Sequence, residues 1–183
     1  MPMFESIKTR LANRRLQKAR GVETRCVRAC GLELANKIGI LYDATEEAQF
    51  EVVRKLLFKL KNTIPVVKAL GYVDSDELSD FHIQPLDFSF YCHKDLDKLG
   101  FPHDEVIAEF CNADFDILLC FDIEEKIPLS YVKLRSKAGF KVGLYNEKNS
   151  DLLDVMISLD EENSSVEELV KQIMHYWENI RYE

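Results

Sequence analysis

Two aspartates close apolar runs. KIGILYD ends on Asp43 and DFDILLCFD ends on Asp122. Short apolar runs bounded by turn-type residues read as buried strands of a parallel sheet. In an open α/β sheet, ligands bind beyond the carboxyl ends of the strands, so both acids fall on the edge where chemistry is done. Two carboxylates there could hold Mg²⁺, a hard cation that takes oxygen ligands. They could also divide the work of acid and base if their surroundings separate their pKa values. The plain alternative is that both mark strand exits, with Asp43 capping the helix that follows.

His93 is the third candidate. It follows an alternating aromatic run, LDFSFYC, stands between Cys92 and Lys94, and has His103 ten residues on. A zinc site wants four ligands at recognisable spacing, which this arrangement lacks, so no metal is expected. Cys26 and Cys30 share a face if their segment is helical, and read as packing. The cysteines number five, with Cys111 and Cys120 in apolar surroundings, so core thiols in a reducing compartment are expected.

Other chemistries find little support. The turn after the first strand, DATEE, and the turn after Asp122, IEEKIP, have no glycine and put acids where a phosphate would sit. SKAGFKVG has lysines and glycines but stands at the start of a strand. No nucleotide cofactor is expected. No G-x-S-x-G elbow is present, and no local Cys–His pairing suggests a nucleophile.

Elements that could position the three candidates follow from periodicity. After KIGILYD, Thr45 is the expected N-cap of a helix EEAQFEVVRKLLFKLK, with Phe50, Val53, Leu57 and Leu60 at core spacing. IPVVKALGYV is the second strand, making a βαβ unit. LDFSFYC is a third strand that could pair antiparallel. A helix from about Asp104 leads into the Asp122 strand. The next helix starts near Pro128 and is expected to stop at Gly139. FKVGLYN is a strand, DLLDVMISL holds another, and a last helix starts at Ser164 or Ser165. Strands alternating with helices predict a Rossmann-like α/β three-layer sandwich over residues 37–183, with a mostly parallel sheet of five or six strands.

Residues 1–36 read as a basic helical N-terminal arm, helical over 4–20 and again over about 23–36. Residues 1–30 hold eight Lys or Arg and two acids, a local charge of +6; the net of −8 leaves −14 for the rest. An acidic whole argues against nucleic-acid binding by the general surface. The arm could dock on RNA or an acidic partner surface through residues 1–30, or pack on the acidic body of its own chain or a twin subunit. Its apolar stripe is too short for a membrane helix, and no run approaches the roughly 18–20 apolar residues a span needs. The N-terminus has no secretory pattern, so a cytoplasmic protein is expected.

Text and order of segments add a resemblance. IGILYDAT, HKDLDKLGFP, FDILLCFD, PLSYV and SKAGFKVG resemble a family of small uncharacterised Bacteroidetes proteins of unknown function, over most of the chain from about residue 37. The resemblance implies a bacterial cytosolic protein and nothing catalytic. A strand D-I-L-L, a helix, then G-F-K-V-G also resembles the first domain of heptosyltransferase-like glycosyltransferases, which implies shared fold geometry. Two functions follow as expectations. The first is a non-enzymatic interaction protein using the basic arm. The second is a small-ligand or transferase-like site at the carboxyl edge built on Asp43, His93 and Asp122.

Overall fold

A computed structural model describes residues 2–20, 25–83, 86–147, 151–160 and 163–179. In chain order the elements are α1 (Pro2–Arg20), β1 (Lys37–Asp43), α2 (Glu47–Leu60), β2 (Val66–Tyr72), β3 (Phe88–Tyr91), α3 (Asp104–Asn112), β4 (Ile117–Phe121), α4 (Ile127–Arg135), β5 (Phe140–Leu144), β6 (Val155–Ile157) and α5 (Val166–Asn179). Six strands form one sheet in the order β3-β2-β1-β4-β5-β6, with every neighbouring pair parallel. The expected Rossmann-like α/β sandwich is thus present.

β3 pairs parallel to β2, from Ala69 opposite Phe88 to Tyr72 opposite Tyr91, which settles an orientation the sequence left open. The chain builds outward from β1 to β3, then crosses to β4 beside β1 and builds the other way. That reversal puts the topological switch point between β1 and β4.

Parallel strands are covered on both faces, and β4 accordingly buries all five residues. Alternate side chains split between two cores. Ile38, Ile40, Ile117 and Leu119 pack with Phe50, Val53 and Leu57 of α2 and Leu169, Ile173 and Trp177 of α5. Leu41, Leu70, Leu118 and Cys120 pack with Ile107 and Phe110 of α3, Leu129 and Val132 of α4, and Ala12 and Leu16 of α1. The helix α1 therefore shares the second core.

Four local expectations fail. Residues 25–31 carry no helix, and only Leu32–Leu34 makes a 3₁₀ turn. Tertiary bonds hold this segment instead: Arg25 donates to the Ala138 and Gly139 carbonyls and pairs with Asp154, and the Arg28 N–H donates to the Gly139 carbonyl. Cys30 packs partly against the first core, but Cys26 is exposed, so the two form no packed stripe; all five cysteines are free thiols. Gly139 does not stop α4, which ends at Arg135. A side chain at Gly139 would lie 3.3 Å from the Asp116 carbonyl, and that close approach is what favours glycine. Thr45 does not cap α2, since its hydroxyl is bonded to Asp43.

Candidate functional site

The carboxyl ends of β1 and β2 are drawn together by a glycine. After Asp43 the chain crosses β2, and the Ala44 N–H donates to the Tyr72 carbonyl at 2.7 Å. A Cβ on Gly71 would lie 2.7 Å from the Cβ of Ala44, so this crossing needs glycine there. The crossing brings Thr45 to Asp74, just past β2. Asp43 Oδ1 accepts the Thr45 N–H at 3.0 Å and the Thr45 hydroxyl at 2.5 Å, a local turn of the Asx type. Thr45 Oγ1 in turn accepts the Asp74 N–H at 2.9 Å.

A lysine joins the two acids. Lys126, immediately before α4, places Nζ 2.5 Å from Asp43 and 2.9 Å from Asp74. Burial disfavours its charged form, but hydrogen bonds to both carboxylates outweigh that and raise its pKa. Asp74 Oδ1 also accepts from the Tyr72 hydroxyl at 3.1 Å and lies 2.7 Å from His93 Nε2. For Asp74, burial pushes the pKa up, yet bonds from Lys126, His93 and Tyr72 overcome it and hold the carboxyl at about 2.

His93 lies in a short 3₁₀ turn, His93–Asp95, which starts where β3 ends. Cys92 N–H donates to Asp95 and His93 N–H to the Ser75 carbonyl, fixing the turn. One ring nitrogen faces Asp74 and the other faces Asp76 at 3.2 Å. Acceptors at both nitrogens suit the imidazolium, which donates from both. The Asp74 bond is the larger cause of a raised His93 pKa.

Asp122 has a different setting. The β1–β4 register ends with Tyr42 opposite Phe121, so Asp43 and Asp122 follow side by side across the switch point. Asp122 is buried and pairs at 2.5 Å with Lys133 of α4, itself buried. Lys141 Nζ donates to the Lys133 carbonyl beside them. Burial raises the Asp122 pKa against the pull of Lys133. Burial likewise lifts the Cys92 thiol, and the Cys120 thiol to about 12, away from thiolate nucleophiles.

Among the described residues, two clefts on this edge are both lined by Lys126. One, of about 600 Å³, is walled by Asn13 of α1, Tyr72, Asp74, His93 and Leu96. The other, of about 530 Å³, is walled by Asp43, Thr45, Gln49 and the Ser164–Ser165 start of α5. Gln49 Oε1 is buried there without a hydrogen-bond partner among the described residues. Asp122 lines neither cleft. Of the three residues singled out from sequence, Asp43 and His93 enter one network and Asp122 stands behind it. Asp74, Lys126 and Tyr72 carry no local sequence signal for a site. Asp74 sits in a segment that reads as an acidic linker and Lys126 in an acidic turn, and only strand order brings them together. Among the described residues, no group of three or more His, Cys, Asp or Glu could hold a metal ion, and no helix is long and apolar enough to cross a membrane.

Comparison with known proteins agrees with this architecture. None of the curated proteins matches the chain. Among solved structures, the glycosyl transferase family 9 protein from Veillonella parvula DSM 2008 superposes with a TM-score of 0.51 at 14% identity, covering 80% of this chain and 43% of that one. The chain thus spans less than half the length of that protein, and the likeness is one of fold. It bears out the shared geometry expected from the D-I-L-L strand and G-F-K-V-G. A model for a family of unknown function matches residues 7–180, through α1 and the α/β body alike. The chain belongs to that family, DUF6913.

Proposed function

We propose that the protein binds a small hydroxyl-bearing ligand at the carboxyl ends of β1, β2 and β3. The observation that carries this reading is Lys126, which bridges Asp43 and Asp74 between two clefts beside the switch point. Ligands of open α/β sheets bind at such a point. The walls offer both halves of a hydrogen-bonding site. In the first cleft His93 and Lys126 can donate and Asp74 can accept; in the second Lys126 and the two serines can donate and Asp43 can accept. Hydroxyl groups match this mixture, because each donates and accepts. A strongly anionic ligand fits less well, since Glu46, Glu124 and Glu167 also border the second cleft. The fold likeness to a glycosyl transferase supports the same ligand class.

A thermal-shift panel of sugars, nucleotide-sugars and polyols tests the reading. A ligand at a hundred times its dissociation constant stabilises by about 2.7 kcal/mol, which is about 5–11 °C for a chain of this size. The shift should vanish in Asp43→Asn and in Lys126→Met. A panel without any shift, or a shift that both variants keep, sinks the proposal. The exposed face of α1 supports the interaction reading separately, as an independent property of the chain.

A further inference from the structure

Helix α1 has two opposite faces. Ala12 and Leu16 are buried in the core shared with α4, and Ala19 packs partly against it. At 100° per residue these three fall within an arc of about 60°. Arg10, Arg14 and Lys18 are all exposed and recur every fourth residue. They centre about 180° from the buried arc. None of the three makes an ion pair among the described residues. Arg15, between the two faces, is engaged elsewhere: it pairs with Asp97 at 2.5 Å and stacks over Phe101. Among its described side chains, the helix therefore ties one arginine to the body and presents three cations outward in a row.

We propose that this row, Arg10–Arg14–Lys18, is a docking surface for the phosphodiester backbone of a nucleic acid. Successive cations are about 6 Å apart along the helix axis. That is close to the rise of two phosphates on one strand, at about 3.4 Å each. Two of the three are arginines, whose planar forks grip phosphate oxygens in pairs.

Other anionic partners need features this face lacks. A helix lying on a lipid surface buries an apolar face, and the apolar face of α1 is already occupied by the protein. A protein interface has an apolar or aromatic core, and Leu11 is the sole large apolar side chain exposed among residues 10–19. Phosphate contacts require no such core. Residues 31–183 carry −14 and repel a polyanion, which confines contact to the basic N-terminal segment and makes the complex weak and salt-sensitive.

The test is fluorescence anisotropy of the intact protein with a labelled single-stranded RNA and the same sequence as DNA, over about 50 to 200 mM salt. Three phosphate contacts predict a log–log slope of affinity on salt of about −2 to −3. RNA and DNA of several sequences should bind alike, because the backbone carries no base information. Arg10→Glu with Arg14→Glu should abolish binding at an unchanged melting temperature. Absence of binding at the lowest salt overturns the proposal. So does binding that the double reversal leaves intact. Tighter association with phosphatidylserine vesicles or polyglutamate than with either oligonucleotide overturns it too, assigning the face to a membrane or an acidic protein. The outcome is independent of the ligand cleft, whose test uses other residues and another readout.

Discussion

Asp43 and Asp122 stand side by side at the ends of adjacent strands, yet each is bound to a different lysine, Asp43 to Lys126 and Asp122 to Lys133. Position on the sheet is shared and environment is not. The Asp122–Lys133 pair is shut from solvent, so removing one partner strands a buried charge. Asp122→Ala should cost about 3–5 kcal/mol in urea unfolding. Asp122→Leu combined with Lys133→Met removes both charges and should recover most of that loss. A single-variant cost below about 1 kcal/mol would show that the pair is not a buried ion pair.

Lys126 predicts a pH-dependent stability. Asp74 is held at about 2, below its ordinary 3.8, because bonds from Lys126, His93 and Tyr72 outweigh burial. A depressed carboxyl stabilises the fold above its unfolded pKa, and that contribution is lost as pH falls from about 4 through about 2. Asp74 is 41% exposed, so solvent screening reduces the contribution to about 1 kcal/mol. Lys126→Met should therefore be less stable than the parent near neutrality, with the gap closing toward pH 2. Urea midpoints across that range measure it, and a gap that stays constant with pH refutes the linkage.

How far the sequence reveals this edge depends on the range of the signal. The strands ending at Asp43 and Asp122, and helix α2 between β1 and β2, follow from local apolar patterning, which is dense there. The Arg25–Arg28 segment reads as helix because Cys26, Cys30 and Leu34 have the right spacing. In the structure, long-range bonds to Gly139 and Asp154 replace helical ones. The Thr45 hydroxyl is captured by Asp43, two residues back, and so is lost to the cap. Asp43 and Asp122 become neighbours only through the order β2-β1-β4, which no local pattern encodes. Lys126 reaches Asp74 across 52 residues for the same reason. Candidate groups on single strands are legible, and the network that joins them is tertiary.

His93 should titrate above its ordinary 6.5, with the bond to Asp74 the larger cause. A raised histidine stabilises the fold below the unfolded pKa and loses that contribution as pH rises through the folded one. Asp74→Asn removes the carboxylate from Nε2 and should return the pKa toward 6.5. Asp76→Asn, at the longer 3.2 Å contact, should move it less. Proton NMR of the ring C–H resonances against pH reads both. An Asp74→Asn variant whose His93 titrates as in the parent would remove Asp74 from its role.

The two faces of α1 predict opposite responses to substitution. Leu16 is 4% exposed and fills space against the core shared with α4, so Leu16→Ala should cost about 2–5 kcal/mol through lost burial and a residual cavity. Leu16→Asp puts a carboxylate in the same place and should release the helix, making α1 sensitive to protease while the sheet persists. Arg14→Ala, on the outward face, should change stability by no more than about 0.5 kcal/mol. Urea unfolding of the full chain compares the three variants directly. Were Leu16→Ala as mild as Arg14→Ala, α1 would be a solvated arm carried beside the domain, and Asn13 would lose its place in the wall of the cleft.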